Sequence, residues 1–179
     1  EKYLARVETM MLQPELLQKE EAKKLKIVFT ALHGAGGVLV PVLLKKLGFN
    51  FLTVPEQDVQ DGRFPTVKSP NPENAPALKM AVDLANKEGA DIVIGTDPDC
   101  DRMGVGVRDA KGEMVLLTGN QVGSLMGWYR LKTMFDLGIL NDANKKNAVF
   151  LKTYVTSPLQ DAIAAKFGIG CVNTLTGFK

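Results

Sequence analysis

The chain has 179 residues, of which 45% are hydrophobic and 23% are charged, values that are typical of a soluble globular protein with one or two domains. Its net charge of +2 is too small to indicate a surface for nucleic acid or membrane. No apolar run approaches the roughly 20 residues that span a bilayer, and no signal-peptide pattern opens the chain. The two cysteines, Cys100 and Cys171, lie far apart in sequence and favour reduced thiols in the cytoplasm.

Strand and helix patterns alternate through the first two thirds of the chain. The predicted elements are helices over 1–12 and 14–25, a strand over 26–32, a helix over 38–48, a strand over 49–54, a helix over 74–90, a strand over 91–95 and a hairpin over 102–117. Pro41 is expected in the first turn of its helix, and Gly48 is expected to close that helix. Residues 55–73 show little periodicity, and an irregular segment of that length inside a compact domain indicates function or flexibility.

The pattern restarts after Leu117, with a helix over 118–138, a strand over 148–155, a helix over 157–168 and a strand over 170–175. The alternation predicts an α/β fold with mixed, mostly parallel sheet layers and flanking helices. We expect one complete domain over 1–117 and part of a second, related domain over 118–179. That second part has about half the elements that a stable α/β domain buries, and the chain begins without a methionine, so we expect a fragment of a longer polypeptide.

Three aspartates stand at alternate positions after the predicted strand over 91–95. Asp97, Asp99 and Asp101 crowd like charges together, which is unfavourable unless a cation binds there. In an extended loop their side chains project to the same side, so we expect them to converge on one Mg²⁺. Arg102 follows at once, and a guanidinium suits bidentate contact with phosphate. A divalent metal beside an arginine is typical of phosphoryl transfer.

Other interpretations of the aspartates are weaker. An EF-hand loop needs glycine at its sixth position and glutamate at its twelfth, where this chain has Arg102 and Arg108. The phosphatase motif D-x-D-x-[TV] also fits poorly, because Cys100 and Asp101 follow the second acid instead. A solvated acidic turn is the remaining alternative. Three carboxylates within five residues, between two apolar strands, favour metal binding over it.

The glycine-rich segment HGAGG, residues 33–37, follows a predicted strand and opens a helix, so a phosphate cradle is conceivable. The dinucleotide fingerprint G-x-G-x-x-G needs glycine where Leu39 stands, and neither a P-loop nor a G-x-S-x-G elbow occurs. We therefore favour a tight turn that requires small residues. His33, the single histidine, is expected to be structural.

Two further groups of residues are candidates for a functional site. Lys152 and the neighbouring polar residues of segment 152–157 could line a cleft, but a lysine at a strand end is more often solvated. The methionines of 126–135, with Trp128 and Tyr129, have helical spacing and are expected in the core.

An ordered set of motifs resembles the α-D-phosphohexomutase superfamily. GTDPDCDR resembles its metal-binding loop, whose usual form is Asp-Gly-Asp-Gly-Asp-Arg or Asp-Pro-Asp-Ala-Asp-Arg. TALHGAGG is similar to its Pro-Leu-His-Gly-Val-Gly loop, and FPTVKSPNPE to its Pro-Asn-Pro-Glu segment in the form of the phosphoglucomutase and phosphopentomutase branch. LLTGNQVGSLM resembles the helix start of the third domain, and NTLTGFK the loop before its sugar-binding Gly-Glu-Glu-Ser-Gly. The resemblance covers essentially the whole chain.

The resemblance implies four domains around a cleft, with this chain as the second domain and the first half of the third. It implies the following site residues: Asp97, Asp99 and Asp101 as Mg²⁺ ligands, Arg102 beside a phosphoserine, and Thr176 and Gly177 as contacts for the sugar phosphate. The family's Ser-His-Asn-Pro loop, its Glu-x-Ser loop and its C-terminal phosphate-binding domain do not occur within the 179 residues. The chain would thus hold the metal but lack the nucleophile.

The function implied by the resemblance is that of a phosphosugar mutase, an isomerase of carbohydrate metabolism. The longer protein would be a cytoplasmic phosphoprotein that interconverts hexose 1- and 6-phosphates (or pentose 1- and 5-phosphates) through a bisphosphate intermediate, with Mg²⁺ and a glucose 1,6-bisphosphate-type activator. Its partners would be the phosphorylated sugar and the missing domains I and IV, with no nucleic acid or membrane. The chain alone is expected to be inactive. The alternative is a non-catalytic Mg²⁺-binding α/β module.

Overall fold

The structure is a computed structural model that describes residues 2–177, and the chain divides into two compact units, residues 1–119 and 120–179. The α-helices of the described residues are α1 Lys2–Glu8, α2 Glu20–Lys24, α3 Gly36–Lys46, α4 Pro55–Asp58, α5 Ala75–Glu88, α6 Gly119–Asp136 and α7 Leu159–Lys166. The strands are β1 Lys26–Thr30, β2 Asn50–Thr53, β3 Ile92–Thr96, β4 Met103–Arg108, β5 Met114–Leu117, β6 Val149–Thr153 and β7 Gly170–Thr174. Short 3₁₀ helices cover Pro14–Gln18 and Lys145–Asn147.

The first unit is built on a five-stranded sheet in the order β2-β1-β3-β4-β5. Strand β1 pairs in parallel with β2 and β3, whereas β4 runs antiparallel to both β3 and β5. Four of the five strands therefore point in one direction. The predicted α/β fold with a mixed, mostly parallel sheet is confirmed.

Both faces of this sheet are covered. The alternation of side chains along β1 sends Val28 to one face, where it packs with Val93 and with Ala81 and Ala85 of α5. Ile27 and Phe29 point to the other face and pack with Leu44 of α3. Val28 and Phe29 are fully buried, so β1 is the centre of the core. The carboxyl ends of β1 and β3 are held firmly by this packing, and the loops that follow them begin from fixed positions.

Several predicted helices differ from the structure. The helix predicted over 14–25 is divided into a 3₁₀ helix and α2, because Lys19 adopts an extended conformation between them. Helix α3 begins at Gly36, two residues before the predicted start, so the prediction that Pro41 lies in its first turn was wrong. The glycine-rich segment is itself helical from Gly36 onward, which places Pro41 inside the helix. Gly48 closes α3 as predicted, with φ at +79°.

Residues 55–73, predicted to be irregular, contain one regular element. The single-turn helix α4 begins at a proline that suits a first turn. The side chain of Gln57 in α4 is fully buried, which is uncommon for a glutamine and indicates internal hydrogen bonding. The segment is therefore partly anchored to the core.

The second unit has a two-stranded parallel sheet of β6 and β7, with α6 and α7 packed against it. Trp128 lies in this core as predicted, with its ring 5.2 Å from that of Phe167. Met126 and Tyr129 are exposed, so the prediction that they belong to the core was wrong: α6 turns them away from its packed side. Among the helices of residues 2–177, none is long and apolar enough to cross a membrane.

Candidate metal centre

The three aspartates lie in the metal loop, residues 97–102, which joins the antiparallel strands β3 and β4. The pairing of β3 with β4 continues to the base of this loop, where Thr96 pairs with Met103. The backbone N–H of Asp97 then donates to the carbonyl of Arg102 at 3.3 Å and joins the first loop residue to the last. The N–H of Cys100 donates to the carbonyl of Asp97 at 3.0 Å, and Cys100 has a left-handed φ of +64°. The loop is thus a hairpin turn, and the extended conformation predicted for it was wrong, because six residues must reverse the chain between paired strands.

This turn brings the carboxylates together. One ligand oxygen from each of Asp97, Asp99 and Asp101 lies within 4.8 Å of the other two. Asp97 is fully buried at the end of β3, while Asp99 and Asp101 are exposed at the surface. An all-oxygen set of one buried and two accessible carboxylates fits a hard divalent cation such as Mg²⁺, which keeps several waters when it binds protein carboxylates.

Arg102 orients the buried acid. Its backbone N–H donates to Oδ1 of Asp97 at 3.0 Å, and its Nε–H donates to Oδ2 of the same carboxylate at 2.7 Å. Each carboxylate oxygen keeps a second lone pair, so these bonds fix the group without preventing it from binding a cation. The side chain of Arg102 is 54% exposed, which leaves the outer edge of the guanidinium accessible to a phosphate.

The pKa values follow from this arrangement. Burial alone would raise the pKa of Asp97, but the hydrogen bonds from Arg102 outweigh it and the pKa is lowered. The pKa of Asp101 is raised by its hydrogen bond with Asp97 and by the negative charge of Asp99. The hydrogen bond to Asp97 raises the pKa of Arg102. Asp97 is therefore charged, and the exposed side of the loop carries a repulsion that a bound cation would relieve.

The two residues predicted to contact the sugar phosphate lie in the second unit. Thr176 and Gly177 are exposed and follow β7, and Gly177 has a φ of +75°. Their role stays a prediction. The end of the NTLTGFK motif, Phe178 and Lys179, lies outside the described residues.

His33 is structural, as predicted. Its side chain is buried, and both ring nitrogens are hydrogen-bonded, Nδ1 to the carbonyl of Val59 at 2.9 Å and Nε2 to Oγ1 of Thr66 at 2.8 Å. The glycine-rich segment around it forms the tight turn between β1 and α3 that the sequence indicated.

The prediction that Lys152 is solvated was wrong. Its side chain is only 5% exposed, and its Nζ lies 2.9 Å from Oδ2 of Asp161 on α7. The sequence did contain an indication of this burial. Side chains alternate between the two faces of a strand, so Lys152 lies on the same face of β6 as the partly buried Phe150. This ion pair lowers the pKa of Asp161. Burial and the nearby Asp161 carboxylate raise the pKa of Cys171.

Residues 1–112 match the family model described as phosphoglucomutase/phosphomannomutase, alpha/beta/alpha domain II. The chain belongs to this family. A phosphoglucomutase of Staphylococcus aureus strain MRSA252 is 40% identical to it over 156 residues, which make up 87% of this chain and 27% of that protein. The chain thus spans about a quarter of the length of the curated relatives it matches.

Solved structures share the fold. A phosphoglucomutase/phosphomannomutase family protein from Burkholderia thailandensis superimposes with a TM-score of 0.66 at 21% identity, over 86% of this chain and 30% of that one. The N-acetylphosphoglucosamine mutase of Aspergillus fumigatus, in complex with GlcNAc-6P and magnesium, gives a TM-score of 0.55 at 18% identity, over 86% of this chain and 29% of the mutase. A variant of the same mutase was solved with glucose 1,6-bisphosphate. At these identities the likeness establishes the fold alone.

Proposed function

We propose that the longer protein containing this chain is a phosphosugar mutase that interconverts hexose 1-phosphate and 6-phosphate through a phosphoserine enzyme and a bisphosphate intermediate. The observation that carries the proposal is the metal loop, where three carboxylates converge within 4.8 Å beside an arginine. Family membership and the 40% identity to a phosphoglucomutase support it. The magnesium and glucose 1,6-bisphosphate found with the Aspergillus mutase support the same cofactor and activator here.

In this proposal Asp97, Asp99 and Asp101 would hold Mg²⁺, and the bound ion would supply positive charge that offsets the charge developing in phosphoryl transfer. Arg102 has two tasks. Its backbone N–H and Nε–H keep Asp97 oriented, and the exposed edge of its guanidinium stabilises the phosphate as charge develops. Thr176 and Gly177 contact the sugar phosphate. The phosphoserine itself comes from a Ser-His-Asn-Pro loop elsewhere in the longer protein.

The alternative is a metal-binding module without catalysis. It is favoured by one observation on this chain, namely that no Ser-His-Asn-Pro sequence occurs in it. Turnover separates the two functions. The longer protein should convert glucose 1-phosphate when Mg²⁺ and glucose 1,6-bisphosphate are supplied, whereas the 179-residue chain should not. A longer protein without turnover on hexose or pentose phosphates would establish the module instead.

Metal binding can be tested on the chain itself by titration with Mn²⁺, followed by electron paramagnetic resonance. Asp99→Asn removes one charged ligand and should weaken Mn²⁺ binding at least tenfold, roughly the effect of one lost charge-assisted contact. Asp83→Asn is the matched control, since Asp83 is an exposed acid of α5 that pairs with Lys79. Titrations of the wild-type chain and of Asp99→Asn that coincide would contradict the proposed centre.

A further inference from the structure

A second loop lies directly against the metal loop. This is the glycine loop, residues 33–37, which follows β1 and continues into the first turn of α3. The backbone N–H of Ala35 donates to the carbonyl of Pro98 at 2.8 Å. A Cβ added to Gly34 would lie 2.2 Å from Cα of Pro98 and 2.6 Å from its oxygen, far inside contact distance. The two backbones thus touch at a point where no side chain can be inserted.

The contact continues one residue further along. A Cβ on Gly36 would lie 2.5 Å from Oγ1 of Thr96, the last residue of β3, and 3.1 Å from Sγ of Cys100. The glycine loop therefore meets Thr96, just before the metal loop, and Pro98 and Cys100 within it. Thr96 precedes the first aspartate, and Pro98 and Cys100 alternate with the three aspartates.

The far side of the glycine loop is anchored by His33. The Nδ1 of His33 faces the carbonyl of Val59, which can only accept, so Nδ1 carries the hydrogen. In the neutral imidazole Nε2 then accepts a hydrogen bond from the hydroxyl of Thr66. The backbone of His33 is held too, because its N–H donates to the carbonyl of Gln57 at 3.1 Å.

A chain of hydrogen bonds connects Thr66 to the core, and each group in it donates to the next one toward Thr66. Nε2 of Gln57 donates to Oγ1 of Thr66 at 3.0 Å, and Oγ1 of Thr30 donates to Oε1 of Gln57 at 2.6 Å. The hydroxyl of Thr30 accepts from the N–H of Leu32 at 3.1 Å. Thr30 and Gln57 are fully buried, so this network is rigid and ties the base of the glycine loop to β1 and α4.

We propose that the glycine loop is a brace that positions the metal loop. Gly34 and Ala35 hold Pro98 through a backbone contact and a hydrogen bond, and His33 fixes both of them to the core. The three are positioning residues, because they act on the ligands through Pro98. The inference rests on the proposed function for the cation that the braced aspartates would bind, but the brace itself can be measured without metal.

Two variants disturb the brace at adjacent residues. Gly34→Ala adds an atom where there is no space for one. Ala35→Pro removes the N–H that Pro98 accepts and places the proline Cδ where that hydrogen pointed, far inside contact distance of the Pro98 oxygen, so the two loops must separate there. The backbone of Ala35 itself suits proline, because its φ is −65°. Gly62→Ala is the control, since a Cβ there meets nothing within 4 Å.

The readout is amide hydrogen exchange of the chain without metal, followed at Asp97, Cys100 and Arg102. Their N–H groups make the hydrogen bonds within the metal loop, and the amides of β3 serve as an internal reference. We expect exchange to rise about tenfold in the metal loop for Gly34→Ala and Ala35→Pro, with β3 unchanged and with Gly62→Ala like wild type. Mn²⁺ affinity should fall by about the same factor.

Two results would overturn the brace. One is metal-loop exchange at the wild-type rate in the variants, and the other is an equal rise throughout β3, which would show general loss of stability. If Gly34→Ala does not fold, Ala35→Pro decides alone. A wild-type chain that binds no Mn²⁺ would contradict the proposed metal centre, while the exchange rates would still decide the brace.

Discussion

The metal loop and the Lys152–Asp161 pair each contain a buried charged residue, Asp97 in the first and Lys152 in the second, and they balance that charge in opposite ways. The pair neutralises itself: a lysine side chain that is 5% exposed meets a carboxylate at 2.9 Å. In the metal loop one arginine faces three carboxylates, with Nε 2.7 Å from Asp97 and 3.7 Å from Asp101. Arg102 thus balances the buried acid and leaves the exposed acids in excess.

The difference separates a structural use of charge from a functional one. The Lys152–Asp161 pair is neutral as a whole and needs no bound ion to balance its charge, so its effect is on the stability of the second unit. An excess of negative charge at the surface is unfavourable in the folded chain, and after the hydrogen bond with Asp97 it is the next cause of the raised pKa of Asp101. Such an excess indicates a site for a cation. The following experiments test this contrast.

The largest effect is expected for Arg102→Lys in the longer protein. Lysine keeps the positive charge and the backbone N–H to Asp97 but loses the planar guanidinium. We expect kcat to fall by roughly a hundredfold, the usual result of removing one donor to transition-state charge. Mn²⁺ affinity should change much less. An unchanged kcat would remove Arg102 from the mechanism, and equal losses of affinity and rate would give it only a role in shaping the loop.

A smaller effect is expected for Asp161→Asn. It leaves the buried ammonium of Lys152 without its counter-charge, so the second unit should unfold several degrees below wild type. Trp128, the single tryptophan, lies in the core of that unit and reports its unfolding by fluorescence. The matched control is Asp136→Asn, which breaks an exposed pair with Lys132 in the same unit and should change little. Equal shifts for both variants would contradict a special role for the buried pair.

The smallest effect is on the pH dependence of the same unit. The hydrogen bond from Lys152 lowers the pKa of Asp161 below its ordinary 3.8. A lowered pKa contributes stability that is present above the unfolded value and is lost as pH falls through the folded value. The difference in unfolding temperature between wild type and Asp161→Asn should therefore be constant near neutral pH and shrink below about pH 4. If the difference in unfolding temperature instead grew as the pH fell, the pKa of Asp161 would be raised rather than lowered in the folded chain, and the prediction would be wrong.

The contrast also explains what the sequence could predict. The metal loop could be predicted because all its charged residues fall within six positions, so their spacing alone indicated a cluster of charges. The conformation of the loop could not be predicted, because the left-handed φ of Cys100 arises from closing the hairpin between β3 and β4. The strands and long helices followed from their periodicity. The start of α3 did not, because the two glycines that open it carry no side-chain pattern.

Contacts between distant residues were beyond the reach of sequence patterns. The position of Lys152 at a strand end suggested solvent, and its partner is supplied by the packing of α7 against β7. Similarly, the GG pattern indicated a tight turn after β1, but nothing local showed that Gly34 would abut Pro98, 64 positions away. The family resemblance named both loops without relating one to the other.

The hairpin that carries the aspartates has a kinetic consequence. The ladder between Thr96 and Met103, the bonds from Arg102 to Asp97 and the glycine loop against Pro98 together order the backbone of the metal loop's six residues in the folded chain. The loop backbone then needs no ordering at the moment of binding. An arriving ion would be captured at a rate set mainly by loss of its own hydration waters, and the entropy lost on binding would come from the side chains of the exposed Asp99 and Asp101 rather than from the loop backbone.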